Sequence, residues 1–361
     1  MQDGTASPNR EFWNGRRVLV VGNTGFKGSW LSLWLHRLGA RVSGLSLPPP
    51  TEPSLFALAG LSDLVPTIRA DIRALAAVRA AMEAQRPDVV FHLAAQALVR
   101  TSYREPVETY ATNVMGTVHV LEAARLVPTV RCVVVVTSDK CYENREWPWA
   151  YRETEALGGY DPYSSSKGCA ELVTAAYRRS FFSTDRTVGI ATVRAGNVIG
   201  GGDWAEHRLL PDCIRAIGAG KAIAIRSPGA VRPWQHVLEP LCGYLMLAEQ
   251  LDADPAGFSD AWNFGQPDHE ARPVAWIASR IVAQWGDDAT WLSAPGDDAL
   301  HESTTLKVDA ARARVRLGWA PRLRIDDALA WTVEWHQRLA AGEPAMALTD
   351  RQIARYGALV Q

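Results

Sequence analysis

Residues 17–28 read RVLVVGNTGFKG, and this stretch gives the clearest indication of the fold. The run 17–21 is aliphatic and predicts a buried strand, and three glycines follow it: Gly22, Gly25 and Gly28. Glycine in such a turn lets backbone N–H groups and the N-terminus of the next helix approach a pyrophosphate. A tight turn that needs only a positive φ is the alternative explanation. Because the motif follows the first strand of an alternating pattern, we interpret it as a dinucleotide-binding loop.

Strand and helix patterns alternate through the first half of the chain. Further apolar strands are expected at 41–47, 65–70, 89–93, 132–137 and 188–194. Helices are expected between them, including 29–38, 74–85 and 113–125. Continuous apolar strands separated by helices indicate a parallel sheet covered on both faces, and right-handed crossovers make it doubly wound. The sequence therefore predicts an α/β protein with a Rossmann-type doubly wound parallel sheet.

The pattern changes in the second half of the chain. Segments rich in Pro and Trp alternate there with short helices such as 238–251, and a final helix is expected at about 325–339. We expect two parts: a dinucleotide-binding Rossmann domain over 12–197, to which later segments return, and a smaller mixed α/β part over 198–345 that mainly binds the substrate.

Composition and charge exclude several classes of protein. The chain has 361 residues with 38 basic and 39 acidic side chains, and a nucleic-acid-binding protein would normally carry a basic excess. No apolar run approaches the roughly 20 residues of a membrane span. The five cysteines form no C-x-x-C pair and the eight histidines lack ligand spacing, so no metal is expected. We expect a soluble cytoplasmic protein with no nucleic-acid or membrane partner.

The motif YSSSK at 163–167 supplies a candidate catalytic pair. If Pro162 begins a helix, the spacing of four residues places Tyr163 and Lys167 on one helix face. A lysine ammonium beside a phenol lowers the pKa of the phenol, which would make Tyr163 a base near neutral pH. Two polar residues on a solvated helix face are the alternative.

The segment TSDK at 137–140 follows a strongly apolar run and lies at the carboxyl end of a predicted strand. Ligands bind at this end of the strands in open α/β sheets. Asp139 as an acid, next to Lys140 as a base or electrostatic stabiliser, suits an elimination next to a carbonyl group. A surface ion pair is the alternative.

Taken together, these motifs are similar to those of the extended short-chain dehydrogenases/reductases. The similarity includes the glycine loop, HLAA at 92–95, Asn113 within NVMGT, Ser138 at the strand end and the Y-x-x-x-K pair. Five stretches resemble more narrowly the CDP-glucose 4,6-dehydratases, within a similarity that extends from about residue 12 to 335: GNTGFKGSWL, TSDKCYENREW, GGYDPYSSSKGCAE, RAGNVIGGGDW and RPWQHVLEP.

The resemblance implies NAD as the cofactor. Asp71 and Ile72 match the pair that contacts adenine, and Ala94 and Ala95 match residues along the ribose and phosphate. NAD rather than NADP rests on the resemblance, because the second strand ends without an acid or an arginine cluster. The implied cofactor-binding residues are Gly22, Asn23, Thr24, Gly25, Phe26, Lys27, Gly28, Asp71, Ile72, Ala94, Ala95, Tyr163 and Lys167. Asn23 stands where the family usually has His, and it is expected to hydrogen-bond a phosphate without carrying a charge.

The resemblance also implies the catalytic and substrate-binding residues. The catalytic set is Ser138, Asp139, Lys140, Tyr163 and Lys167. The substrate-binding set is Asn113, Asn197, Arg208 and Arg232, of which Asn197 and Arg232 match residues that hold phosphates. A planar guanidinium such as that of Arg232 is suited to bidentate phosphate binding.

The implied reaction is the dehydration of CDP-D-glucose to CDP-4-keto-6-deoxy-D-glucose, a step of deoxysugar and polysaccharide (O-antigen) biosynthesis. Hydride leaves carbon 4, water is lost across carbons 5 and 6, and the same hydride returns to carbon 6. The alternatives are a dehydratase or epimerase for a dTDP-, GDP- or UDP-sugar, and a non-catalytic dinucleotide sensor. An epimerase would need the tyrosine without the Asp139–Lys140 pair, and a sensor would typically lack Tyr163 or Lys167. The resemblance also suggests a homodimer or homotetramer.

Overall fold

The computed structural model describes residues 7–183, 188–286, 289–294 and 305–359. The strands are β1 (Arg17–Val21), β2 (Arg41–Ser46), β3 (Thr67–Arg69), β4 (Val89–His92), β5 (Cys132–Val136), β6 (Gly189–Arg194), β7 (Val198–Ile199), β8 (Ile223–Ile225), β9 (Val231–Arg232), β10 (Gln235–His236), β11 (Ala261–Asn263), β12 (Arg272–Pro273) and β13 (Trp291–Ser293).

The helices cover both faces of the main sheet and most of the second half. They are α1 (Arg10–Trp13), α2 (Phe26–Arg37), α3 (Leu55–Leu58), α4 (Leu61–Leu64), α5 (Leu75–Gln85), α6 (Val99–Arg104), α7 (Pro106–Tyr110), α8 (Gly116–Leu126), α9 (Pro162–Phe181), α10 (Leu209–Gly218), α11 (Leu238–Ala253), α12 (Pro255–Phe258), α13 (Val274–Trp285), α14 (Ala311–Leu317), α15 (Ile325–Ala340) and α16 (Ala345–Gly357). A π-helical turn occupies Ala111–Met115, and 3₁₀ turns occupy Asp139–Cys141 and Asp268–Glu270.

Seven parallel strands form the main sheet in the order β11-β6-β5-β4-β1-β2-β3. The chain runs from β1 outward through β2 and β3, then returns to the other side of β1 as β4. This reversal of strand order is the switch point at which open α/β sheets bind ligands. The predicted doubly wound Rossmann-type sheet is therefore confirmed.

Alternate residues of each strand enter two separate apolar cores, as a sheet covered on both faces requires. Val18 and Val20 of β1 face a core shared with α2 and α11. Leu19 and Val21 face a second core shared with α5 and α8. A further apolar cluster joins α10, α13 and α15 in the second half. In the described ranges, no helix combines the length and the apolar character needed to cross a membrane.

The structure corrects several sequence-based expectations. Helix α2 begins at Phe26 rather than residue 29, because Gly25 already has the extended backbone of an N-cap. The helix expected at 113–125 is preceded by a π-helical turn, and α8 begins only at Gly116. The helix at 325–339 is observed as α15 but is not the final one, since α16 follows it. Strand β11 was not predicted, because three residues carry too little periodicity to indicate a strand.

Candidate active site

A cavity of about 420 Å³ opens where the segments that follow β1, β4, β5 and β6 meet. Its lining includes the following residues of the predicted site: Phe26, Lys27, Ala95, Ser138, Asp139, Lys140, Tyr163, Lys167, Asn197, Arg208 and Arg232. The structure thus brings together all five predicted catalytic residues and three of the four predicted substrate-binding residues.

The glycine loop forms a close backbone cradle at the mouth of α2. Gly22 has a φ of +95°, and a Cβ there would lie 2.6 Å from the backbone nitrogen of Ala94. A Cβ on Gly28 would lie 2.1 Å from the carbonyl oxygen of Gly22, so both positions require glycine. Gly25 has no such crowding and leaves the N-terminus of α2 open. Because the first N–H groups of a helix lack intrahelical partners, this cradle fits the pyrophosphate of a dinucleotide.

Asn23 and Thr24 do not point into this cradle, contrary to the expectation that Asn23 binds a phosphate. The Asn23 side chain is buried beneath the loop, where its amide donates to Thr67 Oγ1 at 2.8 Å. Gly44 makes room for it, since a Cβ there would lie 2.2 Å from the amide. Thr24 Oγ1 donates to the carbonyl of Leu47 at 3.0 Å. Asn23 thus joins the loop to the first residue of β3, and Thr24 joins it to the residue that follows β2.

The residues predicted to contact adenine lie at the carboxyl end of β3, outside the cavity lining. The hydrogen bond from Arg73 holds the pKa of Asp71 below its ordinary value, although partial burial opposes the shift. Ile72 is buried against Gly116, where a Cβ would lie 2.5 Å from the isoleucine side chain. Ala94 packs beside Gly22, as described above.

Helix α9 delivers Tyr163 and Lys167 to the cavity from its first turns. Pro162 occupies the first helical turn, and the Asp161 carboxylate caps the helix by accepting from the backbone and hydroxyl of Ser164 at 2.9 and 2.6 Å. Tyr163 and Lys167 are 9% and 6% exposed. The Lys167 ammonium donates to the carbonyl of Val136 at 3.2 Å. The predicted helix and the shared face are therefore confirmed.

The expected lowering of the Tyr163 pKa is wrong for this arrangement. Burial raises the pKa of Tyr163 to about 12, while a hydrogen bond with Ser138 and the charge of Arg208 oppose the rise. Burial also lowers the pKa of Lys167 to about 8, although Glu171 and Cys141 oppose it. Desolvation is the largest influence on the pKa of both groups.

Asp139 is held at the end of β5 by its immediate neighbours. Ser138 Oγ accepts from the backbone of Lys140 at 3.2 Å and contacts Asp139 Oδ1 at 3.0 Å. A Cβ on Gly196 would lie 1.8 Å from Asp139 Oδ2, so the carboxyl group occupies the space that a side chain would fill. Asp139 is 5% exposed, and within the described residues no ion pair joins it to Lys140. The surface ion pair considered as an alternative is therefore wrong.

Cations dominate the remaining charge of the cavity. Burial lowers the pKa of Lys27 to about 8, and the charges of Arg208 and Lys167 add to this effect, while Asp139 and Asp203 oppose it. Arg208 forms an ion pair of 3.0 Å with the buried Asp203. Sequence reasoning missed Asp203 and Gly196, although both fall within the quoted stretch RAGNVIGGGDW. It also placed Lys27 only at the cofactor, whereas its side chain lines the reaction cavity.

Asn113 lies elsewhere, behind the cavity wall. Its oxygen accepts from the backbone of Gln96 at 2.8 Å, and its amide donates to Gln96 O at 2.9 Å and to Ser166 Oγ at 2.8 Å. The side chain of Asn113 thus forms its hydrogen bonds within the protein, and these bonds join the π-helical turn to the segment after β4 and to α9. The prediction that Asn113 binds substrate is not supported by this placement.

Comparison with known proteins agrees with this geometry. Residues 18–265 match the model of the NAD dependent epimerase/dehydratase family. The chain is 51% identical over 352 residues to the CDP-glucose 4,6-dehydratase of Salmonella typhimurium strain LT2, covering 96% of this chain and 98% of that protein. It is 25% identical over 348 residues to a probable dTDP-glucose 4,6-dehydratase of Sinorhizobium fredii, covering 89% and 92%.

A solved structure has the same fold. DesIV of Streptomyces venezuelae, a dTDP-glucose 4,6-dehydratase with NAD and TYD bound, superposes with a TM-score of 0.75 over 91% of this chain and 99% of that one, at 21% identity. The fold, the glycine cradle and the match over residues 18–265 lead to one conclusion. The chain belongs to the NAD dependent epimerase/dehydratase family.

Proposed function

We propose that this protein is an NAD-dependent CDP-glucose 4,6-dehydratase, a hydro-lyase that converts CDP-D-glucose to CDP-4-keto-6-deoxy-D-glucose. The observation that carries the proposal is the buried carboxyl group of Asp139, which shares one cavity with Tyr163 and Lys167 and has no ion pair to Lys140. An epimerase needs the tyrosine but has no use for an acid at this place. The choice of CDP-glucose is supported by the 51% identity to the Salmonella enzyme.

The chain's own residues fit NAD. The backbone cradle of Gly22, Gly25 and Gly28 would hold the pyrophosphate, and Asp71 and Ile72 are proposed to contact the adenine. When bound, NAD supplies a group that can accept a hydride and return it. Every other part of the reaction is a matter of orientation and proton placement by side chains.

Tyr163 is proposed to take the proton of the sugar 4-hydroxyl, with Ser138 sharing the hydrogen bond. A phenol with a pKa of about 12 holds its proton at neutral pH, so it works as a base only when cations stabilise the phenolate. Arg208 already acts in this direction, and the ammonium of Lys167 lies one helical turn from Tyr163.

Asp139 is proposed to protonate the leaving 6-hydroxyl group. Its hydrogen bond with Ser138 and the missing side chain at position 196 fix the direction of the carboxyl group. Once carbon 4 is a ketone, the hydrogen on carbon 5 is acidic, and Lys140 is proposed to remove it or to stabilise the resulting enolate. Asn197 and Arg232 are proposed to hold the phosphates, and the guanidinium group of Arg232 suits bidentate binding of phosphate oxygens. Arg208 is proposed to bind the substrate from the same cavity wall.

We further propose the division into a Rossmann domain over 12–197 and a nucleotide-sugar-binding part over 198–345. A homodimer or homotetramer is supported by exposed apolar side chains on adjacent helices. Val107 of α7 and Leu172 of α9 are 81% and 59% exposed, and Tyr110 and Met115 lie between them in the chain. All five cysteines are free thiols, which supports the cytoplasm as the compartment. The proposed product, a 4-keto-6-deoxy sugar nucleotide, supports a role in deoxysugar and O-antigen biosynthesis.

The proposal is tested by incubating the protein with CDP-, dTDP-, GDP- and UDP-glucose and following loss of water by mass spectrometry. We expect water loss from CDP-glucose well ahead of the other three. Equal or faster loss from another nucleotide sugar would replace the substrate, and isomerisation without water loss would replace the reaction.

A further inference from the structure

A buried ion pair lies directly behind the catalytic residues. Glu171 of α9 and Arg194 of β6 are joined at 2.8 Å, and each side chain is only 3% exposed. Glu171 stands one helical turn after Lys167 on the same helix, and Arg194 stands two residues before Gly196. The pair therefore connects the helix that carries Tyr163 and Lys167 with the strand that leads to the wall behind Asp139.

Every acceptor position of the carboxylate is used. Arg194 donates from Nε to one oxygen and from Nη2 to the other, both at 2.8 Å. The hydroxyl of Thr192 donates to Oε2 at 2.6 Å, and the hydroxyl of Thr137 donates to Oε1 at 2.5 Å. Thr137 immediately precedes Ser138, so one carboxylate holds α9 against the ends of both β5 and β6.

The guanidinium extends the network to the far side of the catalytic segment. Arg194 Nη1 donates to Tyr142 Oη at 2.7 Å, and Tyr142 donates in turn to Asn263 Oδ1 at 2.7 Å. Tyr142 follows the turn Asp139–Cys141, and Asn263 belongs to β11. The segment from Thr137 to Tyr142 is thus held at both ends by Glu171 and Arg194.

A buried ion pair adds little to the free energy of unfolding. Removing two charges from water is costly, and apolar residues of similar volume often stabilise a core equally well or better. Arg194 and the surrounding hydrogen bonds outweigh burial and keep the pKa of Glu171 below its ordinary value. Glu171 is therefore a permanent anion close to the ammonium of Lys167, whose pKa burial lowers to about 8.

Other titratable groups also face Lys167. Lys27 faces it from α2 and His92 from β4, and both are themselves affected by its charge. Cys141 faces it from the turn after β5, and Tyr163 shares its helix. Among these groups, Glu171 is the residue that remains anionic at neutral pH.

We propose that Glu171 and Arg194 form a positioning pair, which holds Tyr163 and Lys167 in register with Ser138 and Asp139 and keeps the Lys167 ammonium charged. The inference deepens the proposed function and rests on it for the identity of the reaction. Neither residue lines the cavity, and both act through the four residues that they align.

The test is Glu171→Gln, which keeps the size of the side chain and leaves the Arg194 charge without its partner. Loss of an opposite charge moves a pKa by about one unit or more, so Lys167 should lose its proton at a lower pH. The titration is measured without substrate, by competitive acetylation of Lys167 across pH and peptide mass spectrometry. We expect the midpoint to fall by about one pH unit, and the alkaline limb of kcat/KM for CDP-glucose to move with it.

Two further variants separate positioning from general damage. Thr174→Val removes a buried hydroxyl on α9 whose one hydrogen bond among the described residues goes to the backbone of Ala170, and it should leave the midpoint unchanged. Glu171→Gln with Arg194→Met removes both charges, and its midpoint should lie between those of Glu171→Gln and the wild type. An unmoved midpoint in a folded Glu171→Gln protein overturns the proposal. A wild-type protein that does not dehydrate CDP-glucose contradicts the proposed function instead, because the acetylation midpoint does not depend on the substrate.

Discussion

Gly196→Ala tests whether the direction of the Asp139 carboxyl group matters for water loss. The added Cβ would lie 1.8 Å from Asp139 Oδ2 and 2.2 Å from its Cγ. Protein Cβ atoms essentially never approach another atom within 3.0 Å, so the carboxyl group must move by at least about 1.2 Å. The clash involves the tip of a side chain, and the φ of Gly196 lies outside the left-handed region. The backbone therefore accepts alanine, and the displacement falls on Asp139.

A displacement of about 1 Å at a reacting group can lower the rate by about 10²-fold. We expect kcat for water loss from CDP-glucose to fall by about this factor. Entry of solvent deuterium at carbon 5 should continue, because that step does not need the acid. Both are measured by mass spectrometry of the sugar nucleotide in deuterated buffer.

Gly218→Ala is the matched control, because a Cβ at Gly218 meets nothing within 4 Å and the residue ends α10 outside the cavity lining. It should retain wild-type turnover. A Gly196→Ala protein with normal kcat, or one whose loss of activity only follows its unfolded fraction, would refute the reasoning about Asp139.

Three further predictions address the base, the carbon 5 step and the stability of the chain. Tyr163→Phe removes the phenolic base but leaves the ring, so kcat should fall by about 10²-fold or more with little change in cofactor binding. Near-normal turnover would mean that the Y-x-x-x-K motif has only a structural role. Lys140→Met should slow the entry of solvent deuterium at carbon 5. Complete loss of this exchange would identify Lys140 as the base, and slow residual exchange would identify it as a stabiliser of the enolate. Unchanged exchange would contradict both roles. Burial raises the pKa of Glu239 to about 7 from an ordinary 4.5, so the native state keeps a proton that the unfolded chain loses as the pH rises between these values. The contribution of Glu239 to the free energy of unfolding should therefore fall by about 3 kcal/mol over this range. Urea titrations at pH 5 and pH 8 should show this fall in the wild type and not in Glu239→Gln. An equal change in the free energy of unfolding in both proteins would contradict the assignment.

The parts of the fold that were predicted are those that the local spacing of apolar residues and glycines indicates. The run 17–21 defines β1 without any distant contact, whereas the start of α2 was placed three residues too late. Tyr163 and Lys167 fall on one face because a helix fixes residues four apart. Strand β11 carries no such signal, since its three residues join the sheet only through long-range pairing with β6.

The sequence predicted which residues belong to the site but not how their side chains are oriented or buried. Asn23 follows Gly22 of the glycine cradle, yet its side chain lies beneath the loop because Gly44 leaves space there. The Tyr163 pKa rises rather than falls because burial, which spacing does not reveal, is the largest influence. Glu171 and Arg194 lie in two of the quoted motifs, but only the packing of α9 on β6 brings them together.

In the proposed reaction one hydride moves within the sugar, from carbon 4 to carbon 6, while water is lost. The direct test is incubation of the protein with CDP-glucose that carries deuterium at carbon 4, followed by mass spectrometry and NMR of the product. We expect a 4-keto-6-deoxy sugar with the deuterium at carbon 6 and no accumulation of reduced cofactor. Loss of the deuterium from the sugar, with one reduced cofactor formed for each sugar oxidised, would contradict it and identify a simple dehydrogenase.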